Sequence, residues 1–417
     1  MASVVNRWAT LVAVAAGLAA SQARAGIETA PVYDPYFIGF EREPAMDYGG
    51  RDIATVQSAI SRGLGWAIHV DRYPAVAAAY EVFFAAGLST VQHEVFGHGS
   101  RGREFNLDPS YGFGFDFSGS TSLGKDPRDN EQNIVLAAGG TEGDSILAHR
   151  ILRDLYTGDG ADGAKIPLMA LGKLDFSLYC FITPDPARRQ DRFRDAYTNG
   201  NDIAYYLAGR QAQRTGGDPA AVWNNAYAID FSDRLLADNY RDLRAAAIWN
   251  LADPAALASV YGYVADHLLR GRPQVKPPVI PLGGGYGVTA GTRAFLGPEE
   301  VTRFLDVYLV TPGPLLSVYG RDLQSSVDES LGWGGGVYGL RLGDRWTANV
   351  AGDYWKTPES AEGLYRGNGW NACAEFDAMI FKNWGLSGKI GAKSSGYFPG
   401  TPMDSGAYAG AGLLVAF

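Results

Sequence analysis

With only two cysteines, Cys180 and Cys373, in 417 residues, the chain has neither a disulfide framework nor a cysteine-rich zinc ribbon. Whether those two pair is left open by their spacing. Histidine is almost as scarce: His69, His93, His98, His149 and His267 are the whole set. Any metal held here must therefore use histidine and carboxylate. Positive charge is in deficit as well, 36 basic against 45 acidic residues for a formal net charge of −9, and no basic patch suggests a nucleic-acid partner. The chain contains no internal repeat and no low-complexity tract.

What is present begins with a targeting segment. Arg7 precedes the apolar run Ala9 to Ala20, and the stretch closes on Ala23-Arg24-Ala25. This is the pattern of a secretory signal cleaved after Ala25. A retained anchor fits less well, because the run falls short of the roughly 20 residues that cross a bilayer. Loss of Arg7 and Arg24 leaves 34 basic residues against 45 acidic ones, a net charge of −11.

From about Ile280 onwards, segments rich in glycine and aromatics alternate in polarity between turn signals. RWTANVAGDYW (345–355) is the clearest. Trp346, Ala348, Val350, Gly352 and Tyr354 share one face, and Arg345, Thr347, Asn349, Ala351 and Asp353 the other. An apolar face with aromatics at both ends, opposite a polar face, suits a strand between lipid and a polar lumen. Leu386 to Lys393 repeats it, and AYAGAGLLVAF alternates to the last residue. A terminal Phe417 on an amphipathic strand resembles the C-terminal signature of bacterial outer-membrane β-barrels. The segments near 284–296, 301–311, 313–320, 330–342, 345–355, 367–381, 384–395 and 405–417 predict about eight strands, the smallest barrel class. SYGFGFDFSGS (110–120) and KLDFSLYCFI (173–182) also alternate and would enlarge the barrel. A soluble β-sandwich is the competing arrangement.

Before that, apolar periodicity is helical over Tyr73–His98, Glu131–Tyr156, Asp202–Arg214, Arg234–Leu251 and Pro254–Leu269. RGRPQVKPPVIP (270–281) reads as an extended linker, and TPDPARRQDRFRD (183–195) as a break within the helical part. The expected fold class is α+β: a signal peptide over 1–25, a mostly helical domain over 26–272 and a small antiparallel transmembrane barrel over 273–417. Tyr73 to Gln92 is apolar enough to suggest a bilayer span. Glu81 in its middle favours instead a buried helix of a globular or lumenal domain.

HEVFGHG (93–99) carries the chemistry. A zinc helix of H-E-x-x-H type sets its histidines four apart, about 40° around the helix, whereas His93 and His98 are five apart, about 140°. One extra residue in the turn, a π-bulge, would bring them back to one face, and Gly97 is where the backbone deforms most easily. In a zinc hydrolase of this kind His93 and His98 are ligands, and Glu94 is the general base that takes a proton from zinc-activated water. The plainer alternative is that His93 and Glu94 mark a helix emerging into solvent, with His98 at the negative end of the helix dipole. His69 and His267 stand alone and read as structural.

HEVFGHGS resembles the H-E-x-x-G-H-G stretch of the dipeptidyl peptidase III metallopeptidases, whose zinc motif carries the same extra residue. That family draws its third ligand from a glutamate in an E-E-x-x-A-D motif on a later helix. The resemblance implies Glu142, within TEGDSILAHR (141–150), as that ligand. Here the chain departs from the pattern: Gly143 replaces one acidic partner, no Glu precedes Glu142, and Leu147 stands five positions on. Asp144 and His149 remain alternatives, and Asp144 could instead orient a histidine from behind. The resemblance covers about eight residues strongly and ten weakly, and so speaks for a zinc site rather than for the family's fold or its dipeptide-releasing specificity.

The expectation is thus a Zn2+-dependent metallopeptidase at the outer membrane, its helical domain periplasmic or in the barrel lumen. Its partners would be outer-membrane lipid and peptide or protein substrates of the envelope, and SYGFGFDFSGS could add substrate as a strand. A zinc-dependent cleavage of lipid or glycan amides or esters is a related option. A non-catalytic barrel whose helical region acts as plug or binding module is the alternative of a different class.

Overall fold

The computed structural model describes residues 36–40, 46–68, 73–298, 301–323, 330–357 and 367–415. The signal segment, His69 and the terminal Phe417 lie outside them.

Among the described residues the fold is α+β, and its largest element is a ten-stranded antiparallel sheet. Strand β1 (Tyr36–Phe40) comes from the N-terminal region, and β6 (Ile280–Gly283) precedes the meander. The rest follow in order: β7 (Tyr286–Leu296), β8 (Val301–Val310), β9 (Leu315–Leu323), β10 (Ser330–Arg341), β11 (Trp346–Thr357), β12 (Gly367–Met379), β13 (Trp384–Lys393) and β14 (Gly406–Val415). Each strand from β6 to β14 pairs with the next, and β1 adds to β14 with Tyr36 opposite Val415. The eight predicted strands match β7 to β14. The two extra strands are short, four and five residues, too brief for alternation to reveal. Among the described residues β1 and β6 remain the edges of an open sheet.

The two faces of this sheet invert the usual order of a water-soluble protein. Leu305, Val307, Val318, Val350, Phe376, Leu386 and Ile390 are exposed, while Arg293, Asp306, Arg321, Asp353, Asn371, Glu375 and Lys393 are buried. Exposed aromatics fall at both strand ends, Trp346, Phe381 and Trp384 at one and Trp370 at the other.

The helices pack on the polar face. They are α1 (Met46–Ile68), α2 (Pro74–Val91), a π-helical segment (Gln92–His98), α3 (Gly99–Glu104), α4 (Asn130–Tyr156), α5 (Ile166–Ile182), α6 (Gln190–Thr198), α7 (Asp202–Thr215), α8 (Pro219–Asn224), α9 (Arg234–Leu251) and α10 (Pro254–Gly262). A hairpin of β2 (Pro109–Phe113) and β3 (Gly119–Leu123) follows α3, and β4 (Ala161–Asp162) pairs with β5 (Gln274–Val275). Helix α4 is the hub, buried over most of its length and capped by Asp129, whose side chain accepts from the Gln132 amide at 2.8 Å. Charged pairs join helices to sheet: Arg150 of α4 to Glu375 at 2.8 Å, Arg51 of α1 to Asp377 at 2.7 Å, and Lys389 of β13 to Asp47 of α1 at 2.7 Å.

Three local expectations are corrected. KLDFSLYCFI is the second half of helix α5, not a strand, because Lys173, Phe176, Ser177 and Cys180 are buried at helical spacing. SYGFGFDFSGS forms the separate β2–β3 hairpin and does not pair with the ten-stranded sheet. Helix α2 is not a buried helix either: only Ala77, Glu81 and Ala85 are covered, and Val76, Val82 and Phe83 stand about half exposed. It is apolar all round, so no stripe in its sequence marks an inner face. Together with the turns that follow, Pro74–Glu104 is long and apolar enough to cross a membrane. Glu81 is nonetheless fully satisfied, accepting from Ser61 Oγ and Tyr263 OH at 2.7 Å and pairing with His267 Nε2 at 3.0 Å. Cys180 and Cys373 are free thiols.

Candidate metal centre

The backbone from Gln92 to His98 is wound as a π-helix. That widened turn sets His93 and His98 side by side, with their Nε2 atoms 3.2 Å apart. Gly97 does more than permit the winding. A Cβ there would lie 2.5 Å from the Gly139 carbonyl oxygen and 2.7 Å from Gly140 Cα, so this turn and α4 meet backbone to backbone. From the opposite side, a Cβ on Gly140 would sit 2.2 Å from His93 Nε2, and one on Gly143 2.8 Å from Gly97 Cα. Three glycines of α4 thus form the floor beneath the two imidazoles.

The third group comes from α7. Asp202 Oδ2 is 3.0 Å from His93 Nε2 and 3.2 Å from His98 Nε2, completing a nearly equilateral triangle of donor atoms. Helix α7 is capped by Asn201, whose side chain accepts from the Ala204 amide at 3.0 Å, and Asp202 occupies its first turn, where a carboxylate faces the positive end of the helix. Burial alone would raise this carboxyl, but the opposing charge of His98 and hydrogen bonds from both histidines hold it well below the usual carboxylate range.

The outer nitrogens fix the tautomers. His98 Nδ1–H donates to the Leu136 carbonyl at 2.7 Å, a pure acceptor. His93 Nδ1 faces Asp144 Oδ2 at 3.4 Å and Asp175 Oδ2 at 3.2 Å. Without a cation, the Nε2 atoms of both rings hydrogen-bond Asp202, and despite burial the surrounding carboxylates raise both imidazoles above their ordinary range. With a cation bound, each ring would keep its proton on the outer nitrogen and turn an Nε2 lone pair inward. Two imidazole nitrogens and a carboxylate oxygen converge within 3.2 Å, a cluster that needs positive charge among its members, supplied by protons or by a metal ion. The spacing suits zinc, since a tetrahedral ion with bonds of about 2.05 Å holds its ligands about 3.3 Å apart. Asp144 and Asp175 then take the carboxylate position behind a metal-binding histidine. Burial, then the neighbouring charge of Asp175, push the Asp144 carboxyl up to about 7. His93, Asp144 and Asp175 form a second possible ligand trio on the outer side of the same ring.

Glu94 is buried on the same turn, where its Oε2 accepts from Thr121 Oγ1 of β3 at 2.7 Å. Gly119 is required beside it, because a Cβ there would come within 2.6 Å of Glu94 Cγ. The hairpin is tied down at its tip, where Thr90 Oγ1 donates to the Phe117 carbonyl at 2.8 Å, and near its base, where Arg103 donates to Tyr111.

Glu142 is not among the residues gathered around the histidines. It is held by Arg101 through two bonds, at 2.6 and 3.1 Å, and accepts from the Gly400 amide at 2.7 Å. Its glycine-rich turn packs against Gly97, so proximity along α4 is real, but its carboxylate is committed elsewhere. His149 lies against the sheet, with Nε2 3.1 Å from Tyr308 OH. Asp144 reaches a histidine, on its outer nitrogen. The groups that sequence reasoning missed are Asp202, Asp175, Thr121 and Tyr179, whose ring stacks on His93 at 5.5 Å. Comparison with protein families, curated proteins and solved structures finds no match for this chain.

Proposed function

We propose that the protein is a zinc-dependent hydrolase, a metallopeptidase, seated in the bacterial outer membrane. The observation that carries the catalytic half is the convergence of His93 Nε2, His98 Nε2 and Asp202 Oδ2 at mutual distances of 3.0–3.2 Å, with Glu94 on the same turn. His93, His98 and Asp202 would hold the zinc ion, which would supply Lewis-acid activation of water and of the scissile carbonyl. Glu94 takes the proton of the attacking water and returns it to the leaving amine. Thr121 holds that carboxylate in place, and Asp144, Asp175 and the Leu136 carbonyl hold the two rings. The likeness of HEVFGHGS to the dipeptidyl peptidase III motif supports the chemistry, with Asp202 in the role that family gives to glutamate. The strand-forming hairpin beside Glu94 offers an edge for an extended peptide, which favours a peptide over other acyl substrates.

The membrane half rests on the sheet, apolar and aromatic outside, charged inside. Its closure into a transmembrane barrel belongs to this proposal. A plug or binding module is the second reading, favoured by the buried ion pairs that anchor α1 and α4 to the polar face of the sheet.

The test is hydrolysis of a mixed peptide library by the detergent-purified chain, wild type against Glu94→Gln. Activity that falls about 10²–10⁴-fold in a variant that still folds and retains metal supports the enzyme. Equal cleavage by both, or by neither, overturns it in favour of the plug.

A further inference from the structure

A second feature lies at the far end of α5. The last turn of α5, the loop that follows it, the start of α6 and the first half of α9 enclose an open cavity of about 700 Å³. Arg188, Arg189, Arg192, Arg241 and Arg244 line it, against one lining carboxylate, Asp185. Asp185 pairs with Arg188 at 3.6 Å, and Asp238 pairs with Arg241. Arg189, Arg192 and Arg244 have no carboxylate partner among the described residues. Arg244 is held in place by its neighbours, its guanidinium 4.7 Å above the Phe181 ring and donating to Tyr240 OH at 3.4 Å. Five arginines against Asp185 and the neighbouring Asp238 leave the cavity cationic in a chain of net negative charge, which favours an anion.

The surface leading into the cavity says what kind of anion. Helices α5 and α9 run antiparallel, as three bonds between them show: Asn250 Nδ2 to the Lys173 carbonyl at 2.8 Å, Ser177 Oγ to Ala247 O at 3.1 Å and Tyr240 OH to Thr183 O at 3.0 Å. The exposed face of α5 carries Leu174, Leu178, Phe181 and Ile182, and that of α9 carries Arg241, Arg244 and then Ile248. The exposed face of α5 is thus apolar along Leu174–Ile182, with Ile248 of α9 beside its start, and the arginines of α9 and of the segment after α5 gather at its Thr183 end. Leu174 to Ile182 spans about 12 Å at 1.5 Å per residue, close to the roughly 15 Å acyl depth of one leaflet. We infer that this surface binds a phosphate-bearing lipid, its headgroup in the arginine cavity and an acyl chain along Leu178 and Leu174. The inference rests on the membrane half of the proposal and is independent of the metal.

The test is native mass spectrometry of the full chain in non-ionic detergent, titrated with phosphatidylglycerol, with phosphatidylcholine of the same chains, or with inorganic phosphate. The variants are the triple substitution Arg189→Gln, Arg192→Gln, Arg244→Gln and the matching triple to Lys. Phosphatidylglycerol is expected to bind the wild type in preference to phosphatidylcholine. The glutamine triple should weaken it roughly a hundredfold, about fivefold per arginine, and the lysine triple should restore most of that. Equal retention of the two lipids, no loss in the glutamine triple, or phosphate binding as tightly as the lipid each overturns the lipid site. Resistance of the membrane-bound protein to a urea wash reads the sheet's insertion separately. Wash resistance without lipid preference removes only the lipid site, whereas release by urea removes the membrane reading beneath it.

Discussion

Gly140 has its position dictated by His93. Alanine there would place a carbon 2.2 Å from Nε2, far inside van der Waals contact, so the ring or helix α4 must shift. Gly140→Ala is expected to lower stability by about 1–3 kcal/mol and to displace the ring from Asp202, which thermal unfolding and metal retention would both register. Normal metal binding in that variant would contradict the packing described. Glu142 separates two accounts of the site. As the buried partner of Arg101, its replacement by Gln should cost about 3–5 kcal/mol of stability. The triangle of His93, His98 and Asp202 should survive in the molecules that fold. Metal retention should also fall on acidification, beginning above the ordinary histidine range, because both rings must give up a proton to bind a cation and, despite burial, the carboxylates around them raise both imidazoles. Affinity independent of pH between 5 and 8 would contradict histidine ligation.

At the scale of elements, the sequence revealed some parts and hid others for physical reasons. The five-residue spacing of His93 and His98 makes sense only with a widened turn, and Gln92–His98 is wound that way. Strands β7 to β14 announced themselves because a sheet with unlike faces imposes a period of two. KLDFSLYCFI misled because Leu174, Phe176, Leu178 and Cys180 satisfy that period as well as the helical one. Asp202 was invisible as a ligand: in NGNDIAYY it reads as the acidic first turn of an Asn-capped helix, and only folding brings it across 104 residues to His98. The β2–β3 hairpin matters through one side chain above all. Thr121→Val removes the hydroxyl bonded to Glu94, a charge-assisted bond worth about 1.5–3 kcal/mol. The expected result is a lowered kcat with a shifted pH profile and unchanged metal content, and an unaltered profile would leave the hairpin without a part in positioning Glu94.

Taken whole, the molecule keeps its charges inside and its apolar side chains outside over the breadth of the sheet, while α2, α5 and α10 add exposed residues such as Phe83, Leu178 and Leu257. Such a surface in water would aggregate, and in lipid it is satisfied. The protein should therefore remain in the membrane pellet after carbonate or urea and leave it only with detergent. Recovery in the soluble fraction without detergent would contradict the membrane assignment. Helical winding ends at Leu268, and β1 from the N-terminal region pairs with β14, so in sequence the helices fall between strands of one sheet.

The claim on which the rest depends is the ligand set, and zinc per chain in detergent-purified protein, measured by elemental mass spectrometry, tests it most directly. Wild type and Glu142→Gln should each carry about one zinc, and Asp202→Ala and His98→Ala should carry none while retaining their helical content. Zinc retained in Asp202→Ala but lost from Glu142→Gln, or absent from the wild type after incubation with the metal, would contradict the account.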